Sequence, residues 1–400
     1  MNIFDRRHET MARAELELFQ LERLQALLAR LRRNVPRYKK TLEGISVESL
    51  KDLAKIPPTA PRELAAAFPY GMFALPLREV IRLQSFVGPG GMQLVNGHTR
   101  NDLIQWGRLA ARQLVAAGGT AHDVIQIGFG EGTFAQALGY MLGAEMIEAS
   151  VIPQDAYHTE YQLAMMQSYR AGILVTTPTQ ALKLATAIEL RGIDPQSLQV
   201  RTVLLSRPLP PDEREILRRA LFADIRCGFG VSEVLDPGLC TECAKGRLHV
   251  NEDQFLAECE NGELLVTTLA REAMPLLRYR TRIACKIDRE KCLCGRTGAV
   301  ITPGERLDGR FRVNEMPLYH NQIVAVLEQT RAAGHPFLLN ISEDRVDISV
   351  KVTGELFADT VSRMENLRVE IESEFLNRLG VRANVSFLGP KAFEERERDL

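Results

Sequence analysis

The chain has 400 residues, of which 45% are apolar and 25% are charged, as in an ordinary globular protein. Its net charge is −1, which gives no general electrostatic reason to bind nucleic acid or an anionic membrane. No apolar run approaches about 18 residues, and the first residues lack the apolar core of a signal peptide. Seven unevenly spread cysteines do not form a disulfide pattern, so we expect a cytoplasmic protein of two or three domains with reduced thiols.

The N-terminal part is predicted to be helical. Leucines at helix spacing predict a helix over residues 9–33, and Asn34-Val35-Pro36 ends it. A short helix is expected around Ser46, capped by that residue or by Ser49, and another follows the prolines at 57, 58 and 61. Residues 1–75 are therefore interpreted as a helical N-terminal part that packs on the rest of the large domain.

The next stretch, residues 83–99, predicts two strands joined by the turn Gly88-Pro89-Gly90-Gly91. Glycines let a backbone approach a phosphate and present its N–H groups. The stretch lacks the lysine and the Ser/Thr cluster that usually complete a phosphate loop. Taken alone, it is more often a plain hairpin turn.

From residue 101 to residue 221, helices alternate with short β-rich runs, which predicts a parallel α/β sheet. The helices are expected at 101–118, 134–143, 160–170, 178–191 and 211–221, and the strands at 124–127, 149–153, 173–176 and 200–205. Ligands bind such sheets at the carboxyl ends of the strands. Those ends are predicted at Gly128–Gly132, Thr176–Pro178, Ser206–Pro208 and Phe229–Glu233.

After Ile225 the pattern becomes that of an antiparallel sheet or barrel. A domain boundary is predicted near Asp308, so that residues 76–307 complete the large domain and residues 308–400 form a small α/β unit. Its helices are expected at 321–333 and 356–379, and its strands at 336–341, 346–352 and 383–388. The final charge run, residues 393–400, is interpreted as a solvated or frayed tail.

Cysteine and histidine residues cluster in one stretch and suggest a metal site. Zinc binds four thiolate or imidazole ligands in a tetrahedron, and Cys243, His249, Cys292 and Cys294 offer that set, with Cys240 as the alternative ligand. A closed set of four ligands predicts a structural rather than a catalytic zinc. The alternative is that these are ordinary buried cysteines.

At this point the chain resembles a known family, the phenylacetate–CoA ligase branch of the adenylate-forming superfamily, over nearly its whole length. The matching segments, in the family's order, are Val35–Tyr38, Ile193–Pro195, Phe229–Glu233, Gly246–His249, Glu252–Asp253, Gly262–Leu265, Thr267–Leu269, Glu272–Thr281, Cys294–Thr297 and Arg306–Asp308. The run from Glu272 to Thr281 is highly specific. Zinc-binding members of this branch place Cys and His where the four predicted ligands stand.

The resemblance implies a fold and a reaction. The fold is a large N-terminal domain of α/β subdomains and a distorted β-barrel, followed by a small C-terminal lid that rotates at Asp308. In the reaction, a carboxylate attacks ATP to give an acyl-adenylate, and a thiol such as that of coenzyme A then displaces AMP. Magnesium is the implied cofactor of the first step. Dimers are common in this branch, so a homodimer is expected, and a partner enzyme is a possible acyl acceptor.

The resemblance also implies roles for individual residues. The implied catalytic residues are Glu233, which matches the magnesium-binding Glu, together with Arg280 and Arg306. The implied nucleotide-binding residues are Gly88, Gly90, Gly91, Ser206, Arg207, Pro208, Phe229, Gly230, Ser232 and Asp308. The acid is expected near Gly128–Phe134 and Tyr157–His158. The structural alternative for Glu233 is that its carboxylate caps a helix after Ser232.

Several positions depart from the family pattern. The lysine of the phosphate loop is Met92, the ribose-binding Asp is Ile283, and the acidic residue of the adenine-contact motif is Arg207. Beyond the hinge, Glu315 and Pro317 replace a Gly and an Asn, and the C-terminal lysine that assists adenylation has no counterpart. An aliphatic side chain at 283 cannot accept hydrogen bonds from ribose hydroxyls.

Three functions stay open at this point. The first is an AMP-forming ligase for a small, aromatic or other, carboxylic acid. The second is a homologue that no longer adenylates and serves as a binding or scaffolding subunit. The third and weakest is a zinc protein with unrelated ligand binding.

Overall fold

The computed structural model describes residues 2–129, 134–155, 158–314, 316–342, 344–352 and 361–399. The chain divides into two compact units, Met1–Leu307 and Asp308–Leu400. None of the helices in the described part of the chain combines the length and the apolar character that a membrane crossing requires.

The first unit begins with helices that pack into its main core. They are α1 (Arg6–Glu9), α2 (Arg13–Asn34), α3 (Pro36–Thr41) and α4 (Pro61–Ala66), with a 3₁₀ turn at Leu50–Lys55. Ser49 and Asp52 cap that turn reciprocally. Leucines of α2 share one apolar core with strands of the sheet. Thr59 exchanges backbone hydrogen bonds of 3.0 Å with Arg278 and Arg280, which fixes the N-terminal part to a central strand.

A two-stranded hairpin follows, made of β1 (Arg82–Val87) and β2 (Gln93–His98), which pair antiparallel. Its turn contains Gly90 and Gly91 with φ of 72° and 74°, a conformation in which glycine avoids the Cβ penalty. The predicted strand–turn–strand is confirmed.

The parallel half of the main sheet agrees closely with the sequence prediction. Its strands are β3 (Val124–Phe129), β4 (Ser150–Asp155), β5 (Ile173–Thr176), β6 (Thr202–Leu205) and β7 (Asp224–Val231). The helices between them are α5 (Arg100–Ala116), α6 (Phe134–Met146), α7 (Thr159–Tyr169), α8 (Pro178–Arg191) and α9 (Pro211–Leu221). Neighbouring strands pair parallel in the order β4-β3-β5-β6-β7. Their carboxyl ends therefore meet at one edge.

From β7 the same sheet continues with antiparallel strands. These are β8 (Leu235–Glu242), β9 (Leu248–Val250), β10 (Phe255–Glu260), β11 (Glu263–Thr268), β12 (Tyr279–Asp288) and β13 (Val300–Arg306). The full order is β10-β11-β12-β13-β9-β8-β7-β6-β5-β3-β4, which makes eleven strands among the described residues. The predicted change of pattern after Ile225 thus occurs within a sheet that stays hydrogen-bonded throughout.

The second unit has its own small core. Its elements are β14 (Phe311–Val313), β15 (Met316–Leu318), α10 (His320–Leu327), β16 (Phe337–Ile341), β17 (Val346–Lys351), α11 (Val361–Leu379), β18 (Ala383–Leu388) and α12 (Pro390–Asp399). Strand β17 lies between β16, to which it is antiparallel, and β18, to which it is parallel.

Two sequence predictions need correction, and one short helix was missed. Helix α10 ends at Leu327 rather than at residue 333, because the Thr330 hydroxyl donates to the Leu327 carbonyl and the chain turns there. The predicted frayed tail is helix α12, anchored by a buried Phe393 under the Lys351 ammonium. Helix α3 was not predicted. Residues 356–360 of another predicted helix lie outside the described residues.

Candidate functional site

The four predicted metal ligands converge in space. The ligand atoms of Cys243, His249, Cys292 and Cys294 all lie within 4.8 Å of one another, and all four residues are buried. The Cys243 and Cys292 sulfurs are 3.9 Å apart, and the Cys294 sulfur is 3.4 Å from His249 Nε2. Two short segments supply the set: the end of β8 with β9, and the loop before β13.

These distances fit a tetrahedral zinc ion. Two sulfurs about 2.3 Å from a common centre lie about 3.8 Å apart at the tetrahedral angle, and a sulfur and an imidazole nitrogen about 3.6 Å apart. The other ring nitrogen, His249 Nδ1, lies 2.8 Å from the Gly298 carbonyl. Since a carbonyl only accepts, Nδ1 carries the proton and Nε2 keeps its lone pair for a metal. The residues present therefore fit zinc.

Backbone groups bias two of the thiols toward the metal-binding form. Burial raises the pKa of Cys243, but hydrogen bonds from the backbone at Lys245 and Arg247, together with those from the Cys294 and Cys292 thiols, lower it overall. Burial also raises the pKa of Cys292, and a backbone hydrogen bond from Cys294 is the largest of the contributions that lower it overall. Burial raises the pKa of Cys294 to about 11. Thiolate is the form that binds metal.

The alternative ligand Cys240 does not join this group of described residues. It is completely buried within β8, where it pairs with Phe229 and Val250, and burial raises the pKa of its thiol well above the usual range. It therefore behaves as a buried apolar residue.

A second group of predicted residues lies at the carboxyl edge of the parallel strands. Ser206–Pro208 follow β6, and the Ser232–Glu233 turn joins β7 to β8. Because β6 and β7 pair in parallel, with Leu205 opposite Cys227, both segments leave the sheet at the same edge. This is where an open α/β sheet binds ligands.

Glu233 is the buried carboxylate of this edge, with only 4% of its surface exposed. It accepts a hydrogen bond of 3.1 Å from the Tyr279 hydroxyl. The amide of Asn96 donates 3.1 Å to the Ser232 carbonyl and 3.4 Å to that of Glu233. The sequence prediction missed Tyr279 and Asn96 as contacts of this turn. Tyr279 lies in the specific run from Glu272 to Thr281, so the run itself was the available signal.

Position 230 accommodates only glycine. A Cβ atom there would lie 2.4 Å from Asp236 Oδ1 and 2.7 Å from the Leu235 carbonyl oxygen. Phe229 is buried beside it, while Ser232 is exposed. The turn thus offers one buried carboxylate and one exposed hydroxyl.

The glycine turn of the hairpin is closed on itself. The Gly88 N–H donates to the Met92 carbonyl at 2.8 Å, and the Gly91 N–H donates to the Gly88 carbonyl at 3.1 Å. A Cβ at Gly88 would clash with Leu94 at 2.2 Å. In this conformation two of the N–H groups proposed for phosphate already have partners.

Ile283, which the family resemblance places where a ribose-binding Asp is expected, belongs to the apolar core and is 6% exposed. In the strand register its partner on β13 is Arg306, so a predicted catalytic arginine stands next to it. Arg280, also on β12, forms ion pairs with Glu263 at 3.2 Å and Glu260 at 3.6 Å. Alternation along β12 places Arg280 on the face opposite Tyr279.

The remaining predicted residues are placed as follows. Asp308 is the first residue of the second unit, where it accepts a hydrogen bond of 3.2 Å from the Tyr319 hydroxyl. Of the predicted acid-binding segments, Gly128 and Phe129 end β3 and His158 precedes α7. Residues 130–133, Tyr157 and Glu315 lie outside the described residues.

Comparison with known proteins gives close relatives. No family model matches the chain. The phenylacetate-coenzyme A ligase of Aromatoleum evansii is 30% identical over 96% of this chain and 93% of its own length. That of Thermus thermophilus is 31% identical over 96% and 94%. That of Escherichia coli is 33% identical over 76% and 72%.

Solved structures share the fold. A 2-hydroxyisobutyryl-CoA ligase in complex with 2-HIB-AMP and CoA superposes with a TM-score of 0.86 at 20% identity, covering 96% of this chain and 89% of its own. An amide bond synthetase from Marinactinospora thermotolerans gives 0.58 at 14% identity, covering 80% and 70%. The predicted adenylate-forming fold is confirmed. With relatives at 30% identity or more across nine-tenths of both chains, the chain belongs to the phenylacetate–coenzyme A ligase family of adenylate-forming ligases.

Proposed function

We propose that this chain activates a small carboxylic acid with ATP as an acyl-adenylate and transfers the acyl group to coenzyme A. One observation carries the proposal: a buried Glu233, held by the Tyr279 hydroxyl, lies at the carboxyl edge of a sheet that has the family's fold. Family membership favours this function over a scaffolding subunit.

The two half-reactions balance without any further reagent. In the first, a carboxylate oxygen of the acid bonds to the α-phosphorus of ATP, and the bond from that phosphorus to the β-phosphate oxygen breaks. Acyl-adenylate and pyrophosphate result. In the second, the thiol sulfur bonds to the acyl carbon, its proton is lost to solvent, and AMP leaves with the electron pair of the broken C–O bond.

The residues of this chain have separable roles in that scheme. Glu233 would hold magnesium, which supplies positive charge to the transferring phosphoryl group. The Ser232 hydroxyl, exposed on the same turn, is available to a ligand oxygen. Gly230 lets β7 and β8 approach closely at this turn, because any side chain there would meet Asp236.

Two replaced positions must be offset by other groups. Met92 brings no charge to the hairpin turn, and Ile283 brings no acceptor for ribose. Two arginines lie close to these positions. Arg207 follows β6 at the carboxyl edge, and Arg306 is the strand partner of Ile283 on β13. We assign to them the charge complementarity that the family's lysine supplies.

The acid is proposed to be a small aryl or alkyl carboxylate, since relatives are named for phenylacetate and a structural neighbour for 2-hydroxyisobutyrate. Zinc on the four-donor cluster is proposed to be structural, because a closed donor set leaves no open position. The homodimer, the cytoplasmic location and an acceptor other than coenzyme A stay predictions.

Carboxylate-dependent exchange of labelled pyrophosphate into ATP tests the proposal. A panel should include phenylacetate, benzoate and short alkyl acids, each with and without magnesium. We expect at least one acid to support exchange, and Glu233→Gln to lower its rate about 100-fold or more. Glu22→Gln, at an exposed glutamate of α2, is the matched control and should exchange like the unmodified protein. No exchange with any acid, together with no ATP binding by calorimetry, would leave the scaffolding function instead.

A further inference from the structure

A buried arginine lies behind the β1–β2 hairpin. Arg271 is 5% exposed, and its guanidinium makes only neutral contacts: Nη2 donates 2.6 Å to Asn96 Oδ1 and 2.8 Å to the Gly97 carbonyl, and Nη1 lies 3.0 Å from His98 Nδ1. Within the described ranges it forms no ion pair with a carboxylate. Burial lowers the pKa of Arg271, and the Asp102 carboxylate, which makes no direct ion pair with it, offsets that burial only in part.

The arginine fixes the orientation of Asn96. A guanidinium only donates, so the oxygen of the Asn96 amide must face it. The amide nitrogen is thereby turned toward the carbonyl oxygens of Ser232 and Glu233, at 3.1 and 3.4 Å. With the opposite rotamer, Asn96 would present its oxygen to those two carbonyls and repel them.

The same guanidinium fixes the tautomer of His98. Because Nδ1 faces the Arg271 donor, Nδ1 accepts and Nε2 carries the proton, and Nε2 donates it to Gln84 Oε1 on β1, 3.1 Å away. The His98 ring stacks on Trp106, with centroids 5.0 Å apart and planes 8° from parallel. Trp106 is the single tryptophan of the chain and so reports on this cluster.

We propose that Arg271, acting through Asn96, is a positioning residue that holds the glycine-turn hairpin and the Ser232–Glu233 turn in one fixed relation. The family resemblance implies that both elements serve the same nucleotide, the hairpin at its phosphates and the turn at magnesium. The catalytic consequence of this link rests on the proposed function. The physical link between the two elements is independent of it. Small displacements of a positioned group lower the rate strongly.

Asn96→Asp separates positioning from stability. The new carboxylate keeps an oxygen on Arg271 and adds a counter-charge, so the melting temperature should stay within a few degrees. It presents an oxygen, not an N–H, to the carbonyls of Ser232 and Glu233. We expect kcat for pyrophosphate exchange to fall about 10- to 100-fold and the half-saturating magnesium concentration to rise, with KM for the acid unchanged. Asn261→Asp, at an exposed turn, is the control.

Hydrogen exchange of the protein without ligands tests the link directly. Asn96→Asp, and Arg271→Lys as a second variant, should raise exchange in peptides covering residues 93–98 and 229–235, with no rise in the Asn261→Asp control. Unchanged exchange at 229–235 in both variants, or unaltered kcat and magnesium dependence in Asn96→Asp, would overturn the proposal. If the unmodified protein catalyses no pyrophosphate exchange, the proposed function fails, and hydrogen exchange with Trp106 fluorescence still decides the positioning link.

Discussion

The Cys/His cluster and the Glu233 turn lie at opposite ends of the strand β8 (Leu235–Glu242). At one end all four predicted donors converge with tetrahedral spacing. At the other, Glu233 is in place while Met92, Arg207 and Ile283 stand where the family pattern has other residue types. A metal site loses its function when one donor is lost, whereas a nucleotide site distributes its contacts over many elements. The second kind of site can therefore change residue by residue.

The largest effect is expected at the metal end. Cys292→Ser should lower bound zinc from about one per chain to a small fraction and lower the melting temperature by more than 10 °C, because three donors hold the ion poorly. Metal analysis and thermal unfolding check this. Cys259→Ser, at an exposed cysteine outside the cluster, should change neither quantity. Substoichiometric zinc in the unmodified protein that Cys292→Ser leaves unchanged would exclude the cluster as a zinc site.

The next effect concerns Ile283, where the family resemblance implies a ribose-binding Asp. Ile283→Asp introduces that residue but places a carboxylate within an apolar core, and should destabilise the protein by about 4 kcal/mol. Ile283→Val, the matched control, should lose about 1 kcal/mol. Chemical denaturation measures both. If the aspartate instead left stability unchanged and lowered KM for ATP, the site would have kept a polar ribose position.

A third prediction links the metal loop to the N-terminus. Glu9 accepts from the Phe4 and Asp5 backbone and from Arg296 Nε at 2.7 Å, and the Thr297 hydroxyl donates to the Met11 carbonyl at 2.6 Å. Because Cys294 and Arg296 share one loop, chelation of zinc should release residues 2–12. Glu9→Gln should release residues 2–12 without chelation and lower the free energy of unfolding by about 3 kcal/mol.

Hydrogen exchange of peptides covering residues 2–12 measures this release. By linkage, Glu9→Gln should also weaken zinc binding, as measured by competition with a chromophoric chelator. The control is Glu17→Gln, at an exposed glutamate of α2. Equal protection with and without zinc would contradict the coupling.

The smallest effect is a pH dependence of the free energy of unfolding that arises from His98, near the Glu233 turn. Burial lowers the pKa of His98 from 6.5 to about 2, aided by the nearby Arg271 and Arg82 charges. The unfolded chain therefore binds a proton below pH 6.5 that the folded chain does not, and stability falls as the pH falls below 6.5. Between pH 7.5 and pH 5.5, His98 should lower the free energy of unfolding by about 1.4 kcal/mol. His98→Gln should reduce the pH dependence of unfolding by that amount, and His122→Gln, at an exposed histidine, should not.

The sequence predicted much of the fold because its signals are local, and it predicted that the four Cys and His side chains would converge. Alternating helices and strands predicted the parallel sheet, and the clustering of Cys and His residues, together with the family resemblance, predicted the four-residue cluster. It did not predict the link from Arg271 to Asn96 or that from Arg296 to Glu9, whose partners are 175 and 287 positions apart. Arginine, asparagine and glutamate are common on surfaces, so nothing in their spacing distinguishes buried partners from solvated ones.

The early end of α10 and the formation of α12 show a second limit. In the first, one threonine hydroxyl competes for a helix carbonyl, and in the second, one phenylalanine anchors an otherwise charged segment. Each outcome depends on a single contact that periodicity does not register.

The most direct test of the account follows oxygen atoms through the reaction. The acid that supports exchange is prepared with both carboxylate oxygens as ¹⁸O and incubated with zinc-loaded protein, ATP, magnesium and coenzyme A. Attack of the carboxylate on the α-phosphorus predicts AMP carrying one ¹⁸O atom and a thioester carrying the other, detected by mass spectrometry. AMP without label, or no AMP at all, would contradict formation of an acyl-adenylate at the Glu233 end of β8.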